Sequence, residues 1–320
     1  MTRIARSTRT RRARLGMAAL ALAAVAALAT GCGAPAEEAL QPVAETPVST
    51  TYPLTITDDA NRTVTIKVEP QRIVSLAPAN TEMLFAVGAG DRVVGVTSYD
   101  DYPAEVADIA KVGDFAGPNL EAIAGADPDL ILATTGVQAD VITQLEELGA
   151  TVIAIDPQSL DGVYEVISEV AAAVNEVEAG EGVVAQMRLE AQKVADAVAG
   201  KETASTFVEI AQNPLFTTGS GTLLDELVTL AGGDNVVDEA GWVPYSPEKV
   251  VKSDPSVYLA TKGSMSDPAE LEKRPGFAEL QAVKAGRVYV LDDNLVSRPG
   301  PRIMLGLRQI AEAIHPEAFQ

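Results

Sequence analysis

The residues best equipped for chemistry in this 320-residue chain are rings and guanidinium groups: Tyr99, Tyr102, Phe115, Phe216, Trp242, Tyr245, Arg298 and Arg302. Only 4% of the chain is aromatic and Trp242 is its single tryptophan, so their gathering in a few short stretches is informative. Those stretches are "SYDDYP" (98–103), "GDFAGPN" (113–119), "AQNPLFTTGSG" (211–221), "AGWVPYSP" (240–247) and "DDNLVSRPGPR" (292–302). Each reads as a loop beside a strand of an open sheet, where ligands bind. Aromatic faces with an arginine or two hold a large, flat or partly anionic organic molecule by stacking and charge-assisted hydrogen bonds. The means for breaking bonds are thin. There is no G-x-S-x-G elbow, no P-loop and no H-E-x-x-H, and Gly219-Ser220-Gly221 is ordinary turn chemistry. Asp100/Asp101 and Asp292/Asp293 have the form of acid/base pairs, but among 45 acids they read as solvated. His315 is the only histidine and Cys32 the only cysteine, so no metal site built on His or Cys is expected.

A second pattern is written twice. "DFAGPNLEAIAGADPDLIL" (114–132) and "GWVPYSPEKVVKSDPSVYLA" (241–260) align on Glu121 and Glu248, 127 residues apart. In both, an aromatic stands six residues before the glutamate (Phe115, Trp242) and an aliphatic two after it (Ile123, Val250). Asp-Pro follows at 127–128 and 254–255, and an apolar run ends in Leu132 and Leu259. Either glutamate alone is a helix-start acid favoured by the helix dipole. Their matched surroundings indicate two equivalent halves, each presenting one carboxylate.

The elements that must position these residues follow a strand–helix rhythm. "PLTITDDANRTVTIKV" predicts a hairpin turning at 58–61. "RIVSLA", "RVVGVTS", "DLILAT" and "TVIAI" are strands, with helices between them; the first helix opens at Pro78 with Asn80 or Thr81 as cap and closes at Gly88/Gly90. "LDGVYEVISEVAAAVN" is a helix, and a longer one runs on to Gly200, its first turns weakened by Gly180 and Gly182. The rhythm then restarts with "STFVEIA", "PSVYLAT" and "RVYVLDD" as strands and "RIMLGLRQIAEAIH" as closing helix. The fold expected is α/β: two Rossmann-like lobes with parallel sheets, 52–160 and 201–320, joined by a helical segment, 161–200, whose single long helix bridges them.

Residues 1–31 stand apart. Six arginines precede an apolar stretch of 16 residues, Leu15–Thr30, which is short of the ~20 needed to span a bilayer and fits a signal peptide. Cys32 follows at once, behind small residues and ahead of a Pro/Ala/Glu-rich linker over 32–51, which suggests a bacterial lipoprotein whose cysteine is acylated after cleavage; the export route, general secretory or twin-arginine, stays open. Without the signal the chain carries 18 Lys+Arg against 45 Asp+Glu, a net charge of −27 that excludes a nucleic-acid binder.

In order and spacing, "RIVSLAPANTEMLFAVGAGDRVVGVTSYDDYPAEV", "VGDFAGPNLEAIAGADPDLIL", "GWVPYSPEKVV" and "SRPGPRIMLGL" resemble the helical-backbone substrate-binding proteins of ABC importers for cobalamin, ferric siderophores and haem, over about residues 53–318. The motifs are closest to those of the vitamin B12 binder. The resemblance implies a ligand cleft between the lobes, with Tyr99, Phe115 and Trp242 against a corrinoid. It also implies Arg298 at a ligand-facing arginine position and Asn294 where the family has an acid. It further implies that Glu121 and Glu248 dock into arginine pockets of a two-fold membrane permease, which works with ATPase subunits. The expectation is thus a non-enzymatic, monomeric, extracytoplasmic lipoprotein without a cofactor or metal site of its own, capturing a corrinoid, siderophore or haem that brings its own chelated metal. Two other readings use the same architecture: a cofactor-handling enzyme, and a ligand-sensing lipoprotein without an importer.

Overall fold

Asp58 turns the first hairpin and fastens it to the sheet behind. In the computed structural model, which describes residues 49–320, β1 (Leu54–Thr57) and β2 (Thr63–Ile66) pair antiparallel. The Asp58 carboxylate accepts from the backbone N–H of Ala60 (3.1 Å) and Arg62 (2.9 Å), and from that of Ala154 (3.0 Å) across the lobe. The expected signal peptide, Cys32 and most of the expected linker lie outside the described residues.

The N-terminal lobe continues with β3 (Ile73–Ser75), α1 (Pro78–Ala86), β4 (Val93–Gly95), α2 (Leu120–Gly125), β5 (Leu130–Thr134), α3 (Ala139–Glu147) and β6 (Val152–Ile155). Its sheet is parallel in the order β4-β3-β5-β6. The strands are buried on both faces, which is why they are near-continuous apolar runs. The start of α1 differs from expectation. Neither Asn80 nor Thr81 caps it; Ala77 holds the cap position without a side-chain bond, and Pro78 opens the helix with no N–H to satisfy. Thr81 instead donates to Ser75 Oγ (2.7 Å) inside the lobe.

Ser159 caps α4 (Leu160–Ala173) by accepting from Gly162 N (3.1 Å). α5 (Val177–Val198) follows, and its 22 residues give it about 33 Å. The C-terminal lobe comprises β7 (Ala204–Gln212), β8 (Leu215–Thr218), α6 (Leu223–Leu230), β9 (Gly233–Asn235), β10 (Trp242–Pro244), α7 (Pro247–Ser253), β11 (Val257–Thr261), α8 (Gln281–Lys284), β12 (Val288–Leu291), α9 (Asp293–Val296) and α10 (Ile303–Ile314). The two lobes and the long helix are as expected, but this sheet is mixed. β9, β7, β11 and β12 run parallel, while β8 and β10 add antiparallel at one edge. Stretches read as loops, 211–221 and 240–247, therefore contain strands. They are three or four residues long and flanked by Gly and Pro, too short for a period to register.

The written repeat is a structural repeat. β5 and β11 both begin and end 127 residues apart, and α2 and α7 lead into them. Asn119 and Ser246 cap those helices, and Asp127 and Asp254 take the same left-handed turn, with φ of 49° and 46°. One apolar core joins the lobes. It runs from Ile73, Met83 and Leu130 through Ile167 and Met187 to Val208, Leu224 and Ile310. Each sheet keeps a smaller separate cluster on its other face.

Gly180 does not weaken α5 so much as seat it. A Cβ there would stand 2.3 Å from Ala171 Cβ on α4, whereas one at Gly182 meets nothing within 4 Å. Gly180→Ala should lower stability to denaturant by about 1–3 kcal/mol through overpacking. Gly182→Ala, two residues away, should raise it by about 0.5–1 kcal/mol through helix propensity alone.

Candidate functional site

A cleft of about 470 Å³ opens between the lobes where the parallel strands end. The N-terminal lobe supplies the start of α1, Tyr99, Phe115 and the segment Ile155–Gln158; the C-terminal lobe supplies Leu223, Trp242 and Ser297–Pro299. The volume is that of a small-molecule site, and its lining is mostly apolar with a few polar groups.

Three local devices hold the rings. Gly113, at φ +120°, lets the chain turn where a Cβ would lie 2.6 Å from Asn119 N, and Asp114 then accepts from Ala116 N (2.9 Å). Gln138, fully buried, donates to the carbonyls of both Leu76 and Phe115 (2.7 Å each) and accepts from Thr134 N (2.8 Å). One amide thus ties together three loops of the cleft wall. Tyr99 stands 61% exposed on a loop held by Asp100, whose carboxylate accepts from Thr97 N (2.9 Å) and Oγ1 (2.5 Å). Burial pushes the Asp100 carboxyl up from its ordinary value, against those hydrogen bonds. Across the cleft, Trp242 lies on the edge strand β10, 45% exposed, opposite Thr218 of β8.

The other expected residues are placed differently. Phe216 shares the β8/β10 face with Trp242, since it opposes Pro244 in register, but it stands outside the cleft lining. Tyr245 packs into the core of its own lobe, 5.6 Å from the Phe207 ring, with Lys249 Nζ 5.0 Å above it. Asn294 donates to Asp101 Oδ2 (2.9 Å) in the opposite lobe. Arg298 lines the cleft, yet its Nη1 is held by Glu82 Oε1 (3.0 Å) and Asp101 Oδ1 (2.6 Å). Arg302 completes the arrangement with Nε to Glu82 Oε2 (2.9 Å) and Nη2 to Glu82 Oε1 (2.6 Å), its guanidinium 4.0 Å from the centre of the Tyr102 ring. The Glu82 carboxylate holds Arg302 above its ordinary range, chiefly through this hydrogen bonding. The lobes are therefore clasped by a charge network, in which the sequence points to the arginines and Asn294, marks Asp101 as a solvated acid and does not single out Glu82. The available signal was an acid inside "PANTEMLFA", a helix whose residues from Ala79 to Leu84 are all buried. Glu121 and Glu248 are both exposed, each in the first turn of its helix.

Comparison with known proteins gives a consistent result. The family described as periplasmic binding protein matches residues 73–295. An uncharacterized ABC transporter substrate-binding lipoprotein of Bacillus subtilis is 38% identical over 302 residues, covering 92% of this chain and 95% of its own. The vitamin B12-binding protein of Salmonella typhimurium is 31% identical over 246 residues, 76% of this chain and 90% of its own. Among solved structures, the periplasmic haem-binding protein of Roseiflexus sp. RS-1, in apo form, superposes with a TM-score of 0.70 at 28% identity, covering 78% of this chain and 99% of that one.

Glu82 has a side chain 2% exposed, while that of Asp101 is 53% exposed. Glu82→Gln leaves two arginines short of their buried partner and should cost about 2–3 kcal/mol in chemical denaturation. Asp101→Asn, at a solvated pair, should cost less than about 1 kcal/mol in the same measurement.

Proposed function

The chain belongs to the periplasmic binding protein family, and on that premise we propose that it captures a metal chelate between its lobes, a corrinoid before a ferric siderophore or haem. It is the extracytoplasmic substrate-binding protein of an ABC transporter, a solute binder rather than an enzyme, and it works with a membrane permease. We take Cys32 as its lipid anchor; the B. subtilis relative is itself named a lipoprotein.

The observation that carries the ligand reading is the meeting of Tyr99, Phe115 and Trp242 around one cleft at the strand ends. Rings from both lobes suit a flat chelate that brings its own metal, stacked from more than one side. The vitamin B12-binding relative favours a corrinoid, and the haem-binding structural neighbour keeps haem as the second choice. Phe216 and Tyr245 support the edge strands behind Trp242. Asn294 and Arg298 set the distance between the lobes.

For the permease contact, Glu121 and Glu248 are the natural pair. They occupy equivalent positions in a repeated helix–turn–strand unit, one per lobe, as a two-fold partner requires. Exposed carboxylates facing arginines steer docking more than they add affinity.

Titration with cyanocobalamin, haem and ferric siderophores, followed by fluorescence of the single tryptophan, should show strong quenching of Trp242 by the true ligand. Unchanged emission alongside calorimetrically detected binding would remove Trp242 from the site. The Glu121→Ala/Glu248→Ala double variant should bind ligand normally yet lose uptake in cells; normal uptake would refute the docking role.

A further inference from the structure

Shape and stacking do not distinguish one flat chelate from another, but charge does. Of the residues lining the cleft, only Asp156 and Arg298 are charged. Arg298 meets a ligand with its charge already shared between two acids. Its Nη1 is shared between Glu82 (3.0 Å) and Asp101 (2.6 Å), and its Nη2 reaches the Tyr99 carbonyl (3.4 Å). Arg302 is bidentate on Glu82, so the two guanidinium groups meet two carboxylates and their charges cancel.

Asp156 is different. It leaves the end of β6, is exposed, and is oriented by neutral groups: the Thr135 hydroxyl donates to one oxygen and the Gln158 amide to the other (2.8 Å). Its backbone N–H is held by another acid, Asp59, whose carboxylate accepts from Asp156 N (2.5 Å). Burial raises the Asp59 carboxyl, and the negative charges of Asp156, Asp58 and Glu165 raise it further. Over its whole length the chain carries 45 acids against 24 basic residues, 6 of the latter in the first 31 residues.

We infer that the cleft selects neutral or cationic metal chelates over anionic ones of the same shape, and that Asp156 is the residue determining this preference. The inference rests on the chelate-binding reading above. An anionic chelate finds Arg298 already neutralised by Glu82 and Asp101. It can draw Arg298 away and leave Glu82 buried with one partner fewer, or it can sit beside Asp156 with its own charge unmatched. A cationic chelate is attracted by Asp156 and steered by the acidic field of the whole molecule.

The test is a charge series at constant shape on the full mature protein. Ferrioxamine B carries a free ammonium, its N-acetyl derivative is neutral, and its N-succinyl derivative carries a carboxylate. Cyanocobalamin and the acid made by hydrolysing one of its side-chain amides form a second pair, and haem dimethyl ester with haem a third. Within each series that binds, affinity should fall by roughly five-fold or more for each added negative charge. The steps should shrink in about 0.5 M salt. Asp156→Asn should flatten the series, shrinking the ratio of affinities between neighbouring members toward one, as expected when a screened point charge is removed. A flat or reversed series, or one that Asp156→Asn leaves steep, overturns the inference and leaves the proposed function standing. Failure of every chelate to bind overturns both.

Discussion

A buried carboxylate between two arginines sets the geometry on which the cleft depends. Glu82 comes from α1, directly behind β3, so it stands at the ligand-facing edge of the N-terminal sheet. Arg298 and Arg302 come from the C-terminal lobe, four residues apart at the approach to α10, which brings both guanidinium groups to the same carboxylate. A buried charge cluster is a poor source of net stability, because desolvation offsets much of the attraction. Its strength is directional. Bidentate contacts fix the angle and distance between lobes that each fold around their own sheet, and the rings of the cleft face one another as a result.

The rest of the site is arranged to leave that clasp undisturbed. Gln138 joins three loops of the N-terminal wall through backbone carbonyls and an N–H, with no charge spent on the task. Trp242 is carried on a three-residue edge strand rather than on a free loop, so its position is tied to the register of β8. Polar positioning and ligand-facing surface are thereby largely separated, and the described surface left to the ligand is uncharged apart from Asp156 and Arg298.

Much of this was legible in the sequence, for reasons tied to particular residues. "DLILAT" and "PSVYLAT" are apolar runs closed by turn residues, and buried parallel strands leave that mark. The repeat around Glu121 and Glu248 was readable because caps, left-handed aspartates and strands recur at one fixed spacing. Tyr99, Phe115, Trp242 and Arg298, which stand out by type and loop position, line the cleft. What escaped was non-local. Glu82 meets partners 216 and 220 residues away, a distance no window of sequence spans. Tyr245 packs into the core of its lobe, a placement its ring type does not reveal and the short strand before it, Trp242–Pro244, does not signal.

The apolar core that passes without interruption through both lobes has a consequence for how such a molecule can change over generations. A lobe that owned its whole core could be exchanged between relatives as a module. Here, one apolar core runs from one face of each sheet through α4, α5 and α10 without a break. Substitutions on those helices are felt on both sides of the cleft at once. Diversity of ligand is thus confined to the loops at the strand ends, while the helical back of the molecule is inherited as a single, indivisible piece.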